Sequence, residues 1–136
     1  MRAVLRLLLH VFGAVCILIA LTHIAIGPAA IPGGAVTNAT MDSEDRFYAT
    51  LFLGFGLAVV WCARDLETRE NPLGALLAVF FAGGIARIIS LIAVGPPGPL
   101  FLFLGVVELI LPPIFWWWLG ATRKRPPHGG TSGSTV

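Results

Sequence analysis

The sequence predicts an all-α fold: an integral membrane four-helix bundle with both termini in the cytoplasm. Three observations predict it. The 136-residue chain is 57% hydrophobic and 12% charged, with a mean hydropathy of +0.88; soluble domains carry about 25% charged residues. Four apolar runs each approach the roughly 20 residues that a membrane span needs. The basic residues gather beside one set of run ends, the pattern that sets topology. The length allows one domain, the four-span unit over residues 1–119, with a tail over 120–136. A net charge of +2 is too small for a nucleic-acid partner, so the first partner is the lipid bilayer.

The first run, Leu5 to Gly27, is stopped by Pro28 and then by Pro32-Gly33-Gly34. A cleaved signal peptide has a similar basic start, here Arg2 and Arg6. Its apolar stretch is usually only about 7–15 residues, so a retained span is expected. A loop over 28–45 ends in Asp42, Glu44 and Asp45. The last of these is placed to cap the second run, near its positive end. Asn38-Ala39-Thr40 matches a glycosylation acceptor, but nothing else points to a eukaryotic secretory protein.

The second run covers 46–63 and opens on Arg46-Phe47-Tyr48. The charged stretch from Arg64 to Pro72 leads to the third run, 73–94. Gly95-Pro96-Pro97-Gly98-Pro99 is a tight uncharged turn before the fourth run, 100–119. The tail is basic, then rich in Gly, Pro, Ser and Thr, and is expected to be disordered. With the N-terminus inside, Arg2, Arg6, Arg64, Arg69, Arg123, Lys124 and Arg125 are cytoplasmic, seven of the nine basic residues. Trp116, Trp117 and Trp118 then suit the inner interfacial belt, and Phe47 and Tyr48 the outer one. Cys16 and Cys62 lie at different depths and are expected to be unpaired, buried small hydrophobes.

Arg87 and Glu108 interrupt apolar runs at similar depth. An isolated charge at a bilayer centre costs roughly 3 kcal/mol on insertion scales, so the two are expected to face each other or a ligand. Arg87 lies about 10 Å below the outer end of its span and Glu108 about 12 Å below that of the next, antiparallel one. His23 is about 6 Å deep by the same rise, and Arg46 and Tyr48 open the second span from the same side. Gly83, Gly84 and Ser90 share the helix face of Arg87, where small residues admit a neighbouring helix. Pro112 removes the donor to the Glu108 carbonyl, so a break with a free acceptor is expected there. Binding candidates are therefore Arg87, Glu108, His23, Arg46, Tyr48 and Ser90. A plain structural role competes for each: a helix staple for the pair, an interfacial polar group for His23, a solvated cap for the acidic run.

Three segments carry a resemblance: Arg46-Phe-Tyr-Ala-Thr-Leu-Phe-Leu-Gly-Phe-Gly-Leu, then Gly83-Gly-Ile-Ala-Arg-Ile-Ile-Ser-Leu running on to Val94-Gly-Pro, then Glu108-Leu-Ile-Leu-Pro-Pro. In this order they resemble DUF4345, a bacterial family of small four-span membrane proteins of unknown function, over residues 3–119. The resemblance implies a four-helix membrane bundle and supplies no activity, substrate or cofactor.

Two functional readings remain open at this stage. In one, a polar pocket in the outer half of the bundle binds or transports a small polar or amphipathic ligand, such as a lipid or quinone headgroup. In the other, the chain is an accessory or assembly subunit of a larger membrane complex, or a homo-oligomer, and Arg87–Glu108 is a structural ion pair only. No nucleophile–base pair, metal spacing or phosphate loop points to an enzyme, and no cofactor is expected. The expected location is the bacterial inner membrane.

Overall fold

The computed structural model describes residues 1–33 and 37–122. Most of the expected tail, 123–136, lies outside them. Four helices follow in order: α1 (Arg2–Ile26), α2 (Ala39–Arg64), α3 (Glu70–Val94) and α4 (Pro99–Thr122), with a short 3-10 turn, Gly27–Ala30, after α1. Each is long and apolar enough to cross a membrane, and no strand occurs among the described residues. The fold is the all-α four-helix arrangement the sequence predicts.

Helix ends differ from expectation where polar turns hide the periodicity. α2 starts at Ala39, seven residues before Arg46. Asn38 caps it, its side chain accepting from the Met41 amide at 2.9 Å. Asp45 is therefore not the cap but lies inside the helix, and Asp42 occupies the first turn, near the positive helix end. The Asn38-Ala39-Thr40 triplet is thus a helix start. α4 runs unbroken through Pro112 and Pro113, so the expected break does not form. The carbonyls of Glu108 and Leu109 still lack their amide donors, because proline has none.

α1 packs along α2, and α3 along α4, as two hairpins. They join chiefly at the end holding Arg2 and Thr122, termed here the basic end. The core sits there: Leu5 and Leu9 of α1, Val59, Cys62 and Ala63 of α2, Leu66 of the connection, Leu73 and Leu77 of α3, Phe115 and Leu119 of α4. Cys16 and Cys62 are free thiols and both are buried, as their sequence reading anticipated. Trp117 is exposed, whereas Trp118 packs against this core with its Nε1 unpartnered.

The α1–α2 seam runs nearly the whole helix length on small residues, Gly13, Cys16 and Ala20 against Ala49, Gly56 and Ala63. A Cβ at Gly13 would lie 2.6 Å from Val60 Cγ2 and 3.0 Å from the Gly56 carbonyl. Apolar lipid provides no hydrophobic drive between helices, so such close backbone packing holds the hairpin. At mid-height one phenylalanine from each helix meets the others. Phe12 lies 5.0 Å from Phe80, 6.1 Å from Phe55 and 6.2 Å from Phe115 between ring centroids.

Arginines close three helix C-termini, where carbonyls lack intrahelical donors and the dipole is negative. Arg46 Nη1 donates to the Ile24 carbonyl of α1 at 2.5 Å. Arg69 Nη1 donates to the Trp61 carbonyl of α2 at 2.7 Å, with its guanidinium 4.0 Å from the Trp61 ring centroid. Arg2 Nε donates to the Thr122 carbonyl of α4 at 2.9 Å, and its Nη1 pairs with Glu67 at 3.2 Å.

Candidate functional site

Arg87 is the membrane-depth arginine that closes no helix end. It meets Glu108 as the sequence anticipates: Nε donates to Oε2 at 2.7 Å. Glycines make the approach. A Cβ at Gly84 would lie 2.9 Å from Leu109 Cγ and 3.1 Å from Glu108 Cβ, and one at Gly105 would lie 3.4 Å from Arg87 Cδ. The pair is lopsided: the Glu108 side chain is 13% exposed and that of Arg87 is 41% exposed. Arg87 is tied through Nε alone, and neither Nη1 nor Nη2 makes a hydrogen bond among the described residues. The guanidinium lies 5.9 Å from the Phe101 ring centroid, at the outer limit of cation–π range.

The register aims the pair inward. Arg87 is seven residues beyond Phe80 in α3, and Glu108 seven residues before Phe115 in α4. Seven residues is about two turns, so each charge stands over its phenylalanine on one helix face. His23 stands eleven residues beyond Phe12, about three turns and again in line. The four phenylalanines thus lie beneath His23 on one hairpin and Arg87–Glu108 on the other.

His23 meets Asp45 rather than the charge pair, its Nδ1 lying 3.0 Å from Oδ2 and 3.1 Å from Oδ1. Arg46 is committed elsewhere. Its Nε and Nη2 hold the two Asp42 oxygens at 2.9 and 3.2 Å, and its Nη1 holds the end of α1. Gly27, with φ +60°, lies directly beneath that clasp, where a Cβ would collide with Asp42 Oδ1; only glycine suits both the backbone angle and the space. Tyr48 is exposed and packs edge-on against Phe47, with centroids 5.6 Å apart. Ser90 is exposed and makes no hydrogen bond among the described residues. Of the six candidates, the structure brings Arg87 and Glu108 together and sets His23 on the facing hairpin. Arg46 serves a helix end, and Tyr48 and Ser90 join neither cluster.

Beyond the phenylalanines burial thins on α3 and α4. Buried residues on α3 stop at Gly84 and on α4 at Gly105, while α1 and α2 remain packed together out to Gly27 and Ala49. No hydrogen bond, ion pair or ring contact joins the two hairpins in this half among the described residues. A separate depression of about 390 Å³ lies at the basic end, lined by Glu70, Asn71, Gly74, Trp116, Leu119 and Gly120.

The model of a domain of unknown function, DUF4345, matches residues 4–119. The chain belongs to the DUF4345 family. No curated protein and no solved structure matches it. The match spans all four helices and both polar clusters of this DUF4345 chain.

Sequence reasoning sets Asp45 in the outer polar group, with Arg46 and Tyr48 at the opening of α2, but does not pair it with His23, because the polar first turns of α2 conceal its true beginning. It misses Phe101. Phe101 carries no signal of its own, yet its spacing of seven residues from Glu108 repeats the interval from Glu108 to Phe115.

Proposed function

We propose that this protein binds a small polar or amphipathic ligand in the half of the bundle away from the basic end. Arg87 is the anchoring donor, Glu108 holds it in place, and His23–Asp45 forms part of the facing wall. The supporting observation is the free side of Arg87: a guanidinium at membrane depth with both Nη groups unbonded among the described residues. Guanidinium groups at such depth normally pair or line a pathway. The fork suits a planar or tetrahedral acceptor with two oxygens. The basic end faces the cytoplasm of a bacterial inner membrane in this reading, so the site belongs to the outer leaflet.

Purification in native membrane patches, with mass spectrometry of everything retained, tests it. The expected result is a small molecule or lipid held by the wild type and lost in Arg87→Met and Glu108→Gln, with both variants still inserted and folded. A stoichiometric protein partner that survives Arg87→Met, with no such ligand, would replace this reading by that of an accessory subunit.

A further inference from the structure

We infer that the ligand is a phosphate-bearing membrane lipid, entering sideways from the exposed side of α3 and α4 with its phosphate on Arg87. This rests on the binding role proposed above and names its ligand class. Three observations carry it.

The first is the donor set. With Nε on Glu108, the two Nη groups keep four N–H donors that meet no acceptor among the described residues. A phosphodiester offers two charged oxygens to such a fork, whereas a quinone carbonyl offers one uncharged oxygen. The second is height. α3 has 25 residues, so it is about 37 Å long against a hydrocarbon core of about 30 Å. Each end then overhangs by roughly 4 Å. The Arg87 guanidinium leans towards Phe101, only two residues into α4. It therefore reaches up from its backbone towards the headgroup boundary, where lipid phosphates lie. The third is access. α3 and α4 have no buried residue between Gly84 and Gly105, and the Arg87 side chain is 41% exposed. A lipid can reach it within the plane of the bilayer from the exposed side of α3 and α4.

The test is native mass spectrometry of the full chain in detergent micelles supplied with defined ligands. These are phosphatidylglycerol, diacylglycerol with the same chains, a short-chain quinone, and glycerol phosphate as competitor. The expected result is one phosphatidylglycerol per chain, no retained diacylglycerol, and no competition by glycerol phosphate. Arg87→Met should weaken retention roughly tenfold or more, a loss of about 1.4 kcal/mol or more. Arg87→Lys keeps the charge next to Glu108 but lacks the fork, so it should also lose retention while remaining folded. Equal retention of phosphatidylglycerol and diacylglycerol would overturn the inference. So would displacement by glycerol phosphate, which would make the ligand a soluble phosphate. Arg87-dependent quinone retention without phospholipid retention would overturn the lipid class and leave the binding role standing. No Arg87-dependent retention of any ligand would overturn both.

Discussion

The distance between α3 and α4 is set at single glycines. A side chain at Gly84 would press on Leu109 at 2.9 Å, so Gly84→Val is expected to push the helices apart. Overpacking of this kind costs roughly 1–3 kcal/mol, and the change should also separate Arg87 from Glu108. Thermal melting in detergent reads the first effect, and ligand retention the second. Gly54 is the control, since a Cβ there meets nothing within 4 Å. Gly54→Ala should leave melting unchanged or raise it, because alanine gains up to about 1 kcal/mol of helix propensity. At this scale the sequence was informative for charges and less so for polar rim residues. Arg87 and Glu108 stood out because charge is costly at depth. Tyr48 does not join them, since a position near the right depth does not decide which helix face a residue occupies; Ser90 shares the face of Arg87 but stays exposed.

Each hairpin depends on how its helix ends are closed. Arg46 links the start of α2 to the carbonyls of Ile24 and Ala25. Arg46→Met should therefore lower the melting temperature and fray the end of α1, read as faster amide exchange around Gly27. Arg46→Lys should recover part of the loss, because a single ammonium cannot grip Asp42 and α1 together. At the α2–α3 turn, Asp65 accepts from the Thr68 hydroxyl and amide. The Thr68 hydroxyl bond chiefly holds the Asp65 carboxyl below its ordinary 3.8, with backbone donors and Arg69 adding to it. A depressed folded value stabilises above the unfolded pKa and is lost as pH falls through the folded one. The turn should thus hold steady above pH 3.8 and weaken only in stronger acid. Thr68→Ala should move the Asp65 titration up towards 3.8, which carboxyl NMR would follow. The four apolar runs were legible as elements because hydropathy dominates them. The start of α2 was not, because its first turns are polar and are held by a cap rather than by an apolar stripe.

As a whole, the molecule is closed by an apolar core at the basic end and is less buried on α3 and α4 beyond its four phenylalanines. The number of helices and their membrane character follow from composition and run length. The division into a tightly seamed α1–α2 hairpin and a looser α3–α4 hairpin does not, because it depends on which small residues face each other. The central claim is that Arg87 and Glu108 serve a ligand rather than the bundle. Buried ion pairs can often be replaced by apolar residues without loss of stability, which makes the double variant Arg87→Met/Glu108→Met the most direct test. Its melting temperature and its ligand retention would be measured on the same preparation. Melting should stay within a few degrees of wild type, and the ligand should be lost completely. A collapse in melting would contradict it by making the pair a structural staple, and retention of the ligand would contradict it by placing the site elsewhere.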